Sequence, residues 1–228
     1  MNLNGMKRPY DLVVSIGSWC GVTNQLKDFN LRKFSGPFDW VSTPTLTHVN
    51  RVLKNRFQEY MDINNMKFRE YAKFAIDEND QFNDVIIEKQ TYVLEDVKYN
   101  IGSYHDFLVV PGQSWTVAYP EFREKLDRRI NRFFDKIKKS QSTLFVRYCA
   151  TYNEVVELQS ILSELTEGPF HILIVNPVEN LATIRENNWG LDGVVFVDIP
   201  MINLITDQNH WRQEDWNYIL DGITLTKQ

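Results

Sequence analysis

Cys20 and His105 are the residues of this 228-residue chain whose types can make a thiol catalyst. Cys20 follows the apolar residues Leu12, Val13, Val14 and Ile16 and then a glycine, Gly17. A short β-branched run closed by glycine reads as a buried strand. A helical pattern with Val22, Leu26 and Phe29 on one face comes next, so residue 20 falls where a strand turns into a helix. A thiol at a helix N-terminus feels a positive partial charge that favours the thiolate. Backbone N–H groups at the same turn can hold a developing oxyanion. The order is that of a nucleophile elbow, although G-x-S-x-G itself is absent. The same position equally suits a buried cysteine acting as a small hydrophobe. Cys149 ends a strand pattern with no helix directly after it, which gives it a weaker claim.

A thiol nucleophile needs a base, and histidine titrates in the right range. Tyr104-His105-Asp106-Phe107 sets a polar pair between aromatic residues. On a strand, neighbours face opposite ways, so Asp106 need not orient His105. His210 is the rival base. Asp207-Gln208-Asn209-His210 spells the late D-x-x-H of esterases whose serine follows the first strand, and here Ser18 and Cys20 both follow it. His48 lies in a helical pattern and His171 opens a buried strand, so both read as structural. Arg147, inside Leu144-Phe145-Val146-Arg147-Tyr148, is costly to bury without a partner. It is either an anion clamp near the rim or a salt-bridge partner of the loop Phe38-Asp39-Trp40. Asp39 and Trp40 either line a pocket or pack that loop on the sheet, and Trp211 and Trp216 pose the same choice.

These residues must be held by one fold. Hydrophobic residues make up 43% and charged residues 24%, as in an ordinary globular domain, and the whole of residues 1–228 reads as one. With 25 basic and 30 acidic residues the net charge is −5, which argues against nucleic acid as a partner. The apolar runs are too short for a membrane span or a secretory leader. Two cysteines without C-x-x-C, and four scattered histidines, call for neither a disulfide scaffold nor a metal. No G-x-G-x-x-G or P-loop is present, so no cofactor is expected. The expected location is the cytoplasm.

The second half alternates strands and helices: a helix over 120–140, strands over 143–148, 171–176 and 193–199, and helices over 153–166, 178–187 and 215–220. Asn153 is the expected cap of the second of these helices. An earlier helix opens at Thr43-Pro44 and runs to about Phe57. Nearly continuous apolar strands separated by helices predict a three-layer α/β fold with a mostly parallel central sheet. A mixed insertion covers about 60–112, with short strands at Val85–Ile87 and Thr91–Leu94. Functional groups in such sheets gather at the carboxyl ends of strands, here Ser18–Cys20, Arg147–Cys149, Asn176 and Asp198.

Val14-Ser-Ile-Gly-Ser-Trp-Cys20, Leu31-Arg32, Ser35-Gly-Pro-Phe-Asp-Trp40, His105-Asp106-Phe107 and Phe145-Val146-Arg147 together resemble a bacterial family of domains described as "putative papain-like cysteine peptidases". The resemblance runs from about Tyr10 to Leu220. It implies Cys20 as nucleophile, His105 as its base and Asp106 as an orienting carboxylate. Ser18, Asp39, Trp40 and Arg147 are the substrate-side candidates of the rim itself. Papain-like folds place the histidine on a separate antiparallel sheet, whereas alternating strands and helices are expected here. The expected activity is attack of Cys20 on an acyl or amide carbonyl of a small molecule, peptide or glycan. The alternatives are an acyl or glycan transferase of surface-polymer assembly, and a non-catalytic sugar- or anion-binding module on the same rim.

Overall fold

The structure is a computed structural model and describes residues 1–75, 88–201 and 212–226. In chain order the N-terminal elements are α1 (Leu3–Met6), β1 (Pro9–Tyr10), β2 (Leu12–Ser15), α2 (Cys20–Asp28), β3 (Val41–Ser42) and α3 (Leu46–Lys54). Three strands follow, β4 (Met66–Ala75), β5 (Glu88–Asp96) and β6 (Ile101–Ser103). The second half holds α4 (Tyr119–Lys139), β7 (Thr143–Tyr148), α5 (Tyr152–Leu165), β8 (Phe170–Val178), β9 (Arg185–Asn187), β10 (Val194–Pro200), α6 (Gln213–Leu220) and β11 (Thr224–Leu225).

The central sheet has the order β2-β7-β8-β10-β9. Its first four strands run parallel, and β9 is an antiparallel edge. The apolar runs are nearly continuous because both faces are covered. Val14, Phe145, Ile172, Ile174 and Phe196 face one core with the apolar sides of α3, α4 and α5. Val13, Val146, Leu173, Val175 and Val197 face the other, with α1, α2 and α6. This is the expected α/β architecture, helices on either side of a largely parallel sheet.

A second, antiparallel sheet of order β3-β6-β5-β4 takes three strands from the expected insertion and its edge strand β3 from ahead of it. Val41, Met66, Leu94 and Ile101 from it share the first core with α3 and α4. Thr91–Leu94 is in a strand as expected, and Val85–Ile87 lies outside the described residues. Three local expectations are corrected. Residues 178–187 are not a helix. Instead β8 continues to Val178, and Arg185–Asn187 pairs with β10, where the Arg185 and Asn187 side chains both donate to Asp198. Helix α5 is capped by Thr151 rather than Asn153, because Glu154 closes a capping box with it. Helix α3 starts after Thr45 and ends at Lys54, short of Phe57.

Candidate active site

The β2–α2 turn is the first half of the site. Gly17 and Ser18 both adopt left-handed backbone, with φ of 82° and 97°. At Gly17 a Cβ would lie 2.8 Å from Thr43 Oγ1 and 3.2 Å from an Arg147 nitrogen, so both conformation and space require glycine. Ser18 is strained, and two hydrogen bonds hold it. Its N–H donates to Thr43 Oγ1 at 2.8 Å, and its carbonyl accepts from the Thr43 N–H at 2.9 Å. Cys20 is then the first residue of α2, and the preceding Trp19 supplies no side-chain cap. The sulfur is therefore where the sequence put it, at a strand-to-helix turn. Its ionisation differs from expectation. Burial pushes the Cys20 thiol above the ordinary range, outweighing its own backbone N–H, so the resting form at neutral pH is the thiol.

Arg147 locks this turn from below. It is fully buried and donates to the carbonyls of Ile16, Thr43 and Cys149 at 3.2, 3.0 and 3.2 Å, and also to Thr43 Oγ1. Burial lowers its pKa to about 10, which still leaves it charged at neutral pH. The guanidinium is engaged by backbone oxygens, and Asp39, the salt-bridge partner offered by the sequence, pairs with Arg32 at 3.0 Å instead.

The Ser35–Trp40 motif is a self-bonded loop. Asp39 accepts from Arg32 Nε and from the Gly36 N–H at 2.8 Å, and Arg32 also donates to Ser35 Oγ. Thr23 of α2 donates to the Asp39 carbonyl, which ties this loop to the helix that carries Cys20. Trp40 is the product of that loop. Its ring lies under the Arg32 guanidinium at 5.4 Å and meets the His105 ring edge-on, with centroids 5.5 Å apart.

His105 sits in a bend after β6, not on a strand. Both sides of the bend are anchored. Asp106, with its side chain 6% exposed, accepts from Ser103 Oγ at 2.9 Å and lies 3.6 Å from Arg129 of α4. Phe107 is buried against Trp115 and Phe122. Gly102 leaves room for the Tyr104 ring, whose edge would be 2.7 Å from a Cβ there.

These pieces converge on one cavity of about 150 Å³ lined by Trp19, Cys20, Trp40, Val41, Ser42, Tyr104 and His105. Thiol and imidazole share its wall, although 85 residues separate them in the chain. Trp40 lines it too, while Asp39 and Arg147 are buried behind and Ser18 belongs to the turn. His210 and Asp207 of the D-x-x-H reading, with Trp211, lie outside the described residues. His171 lies near the opposite, entry end of β8, 2.8 Å from Arg8, where burial and that cation hold its pKa near 4. Cys149 is exposed, with φ of 64°. Among the described residues no helix is long and apolar enough to cross a membrane.

The supports that sequence reasoning missed are Thr43, Ser103 and Arg129. Arg129 left a signal: it interrupts the apolar stripe of α4 between Leu126 and Phe133, where a charge needs a buried partner.

A model of the family described as "Putative papain-like cysteine peptidase" matches residues 11–180, about three quarters of the chain. The chain belongs to that family. It is also similar to an uncharacterized protein of Acanthamoeba polyphaga mimivirus, 26% identical over 222 residues, spanning 91% of this chain and 95% of the relative. That relative is viral, so the bacterial source implied by the resemblance gains no support from it. No solved structure matches.

Proposed function

We propose that the protein is a cysteine-dependent acyl-processing enzyme, with Cys20 as nucleophile and His105 as its general base. The observation that carries the reading is the shared cavity of Cys20 and His105, walled by Trp19, Trp40 and Tyr104. Because burial keeps the sulfur protonated, the imidazole takes the proton as sulfur attacks, rather than storing a permanent ion pair. The S–H bond breaks, an S–C bond forms at the carbonyl, and the carbonyl electrons move onto oxygen. The N–H groups opening α2 face a charge developing there. Collapse expels the leaving group, which takes the proton from the imidazolium. Water, or an acceptor hydroxyl or amine, then releases the acyl group. Hydrolase and transferase differ only in that last step.

Asp106 acts as a positioning residue, fixing the bend through Ser103 and Arg129. Asp39 and Arg147 serve the site in the same indirect way, by holding Trp40 and the turn. The substrate presents a small acyl group, because an apolar space of this volume takes one of about benzene size.

The test is labelling by a small thiol-directed electrophile at neutral pH. Cys20→Ala is expected to abolish the fast phase, and Cys149→Ser to leave it intact. Labelling that follows Cys149 instead, or a Cys20 no faster than a free thiol, contradicts the reading.

A further inference from the structure

A second cavity, sharing no residue with the Cys20 pocket, lies beside the amino end of β2. It is an open cleft of about 870 Å³ whose lining includes Asp11, Lys33, Phe34, Arg132, Lys136 and Lys139. Four of its lining residues are cations and one is an anion, on a chain whose net charge is −5. The one carboxylate is already engaged: Asp11 accepts from the Gln141 N–H at 2.9 Å and from Thr226 Oγ1 at 2.7 Å.

The cations converge from two places. Arg132, Lys136 and Lys139 stand at i, i+4 and i+7 of α4, which puts them on one helix face. Lys33 comes from the loop after α2, held by its ammonium on the Asp11 carbonyl at 2.9 Å. Lysines at a helix C-terminus commonly just complement the helix dipole. Lys136, Lys138 and Lys139 all stand in the last turn of α4, and Lys138 turns away from the cleft to Glu167 at 3.4 Å. Arg132 lies more than a turn inside the helix, and it is pinned over the Phe34 ring at 5.2 Å while donating to the Ser35 carbonyl. Lys136 has no ion-pair partner among the described residues, and Lys139 meets Asp135 on its own helix.

We infer that this cleft binds a small soluble polyanion of the phosphate class, one with at least two linked phosphate groups. The cleft volume lies in the range of small-molecule sites, and clustered ammonium and guanidinium groups match phosphate oxygens. A folded macromolecular surface is not needed to fill it.

The test is calorimetric titration of the full chain with sodium tripolyphosphate at fixed ionic strength. Lys136→Glu is compared with Arg128→Glu, which makes the same charge change on an exposed part of α4 outside the cleft. Saturable binding is expected, weakened about tenfold or more by Lys136→Glu, as for a lost charge-assisted hydrogen bond, and less than about twofold by Arg128→Glu. Lys139→Glu serves as a second cleft variant and is expected to weaken binding more than Arg128→Glu but less than Lys136→Glu, because Asp135 already offsets part of the Lys139 charge. Absence of binding overturns the assignment. So does equal loss in the Lys136 and Arg128 variants, which marks only a diffuse field. Co-sedimentation with phosphatidylserine vesicles that tripolyphosphate does not reverse would move the site to a lipid surface and also overturn it.

Discussion

The Cys20 sulfur is exposed to two opposing influences, the positive end of α2 and the apolar wall of Trp19, Trp40 and Tyr104. From sequence only the first is visible, because the wall is assembled from residues 19, 40–42 and 104–105. Desolvation wins, so the thiol pKa is raised. Two consequences follow for pH. Alkylation of Cys20 in the His105→Ala variant is expected to rise only above the ordinary thiol range, as direct ionisation takes over. The same shift bears on stability. The folded thiol holds its proton where the unfolded one has lost it, so this contribution is whole below the unfolded pKa and is lost as pH rises through the folded pKa. A Cys20→Ala chain is expected to lose less stability than the wild type on alkaline titration, read from urea midpoints. Equal losses would mean that the thiol is not desolvated. At this scale the sequence singled out Cys20, His105 and Trp40, three residues that line one cavity. The contacts of Asp39, Asp106 and Arg147 were not legible in it, since a sequence does not say which partner a buried charge takes: Gly36 and Ser103, three residues away, or Ile16, 131 away.

Among elements, the β2–α2 turn carries the largest constraint. Its strand, glycine and helix were readable from Leu12 to Phe29, because apolar period and turn chemistry are local. The two hydrogen bonds between Ser18 and Thr43 that keep Ser18 in left-handed backbone, and the Arg147 guanidinium that holds Thr43 in turn, are not local. Gly17→Ala must tolerate both a positive φ and a Cβ 2.8 Å from Thr43 Oγ1. It is expected to cost about 1–3 kcal/mol in chemical denaturation and to slow Cys20 labelling in the folded fraction. A stability within a few tenths of a kcal/mol of wild type would show that the turn relaxes freely. The strand at Arg185–Asn187 was missed for a related reason. A polar triplet has no strand period of its own, and its pairing is decided by Asp198 across the sheet edge.

For the whole molecule, the insertion is the part that sequence reasoning resolved least. Met66–Ala75 alternates charged and aromatic residues, and Phe68 and Tyr71 are left exposed, so it lacks the apolar signature of a buried strand. Yet Tyr60, Met66, Leu94, Tyr99 and Ile101 join the same core as α3, α4 and the central sheet. A shared core predicts a single cooperative unfolding transition, with tryptophan fluorescence and far-ultraviolet circular dichroism coinciding in urea. Separate midpoints would mean that the antiparallel sheet melts on its own. That shared core is also what brings His105, in the bend after the antiparallel sheet, to the cavity of Cys20, at the turn after the parallel one.

The claim that joins these scales is that the imidazole of residue 105 accepts the proton of sulfur 20. Acetylation of the protein by p-nitrophenyl acetate, followed by p-nitrophenolate release in a Cys149→Ser background, reads it directly. At pH 7 the His105→Ala chain is expected to acetylate about a hundredfold more slowly than its parent, the size of a lost general base. A parent and variant that react at the same rate, both folded, would contradict the account.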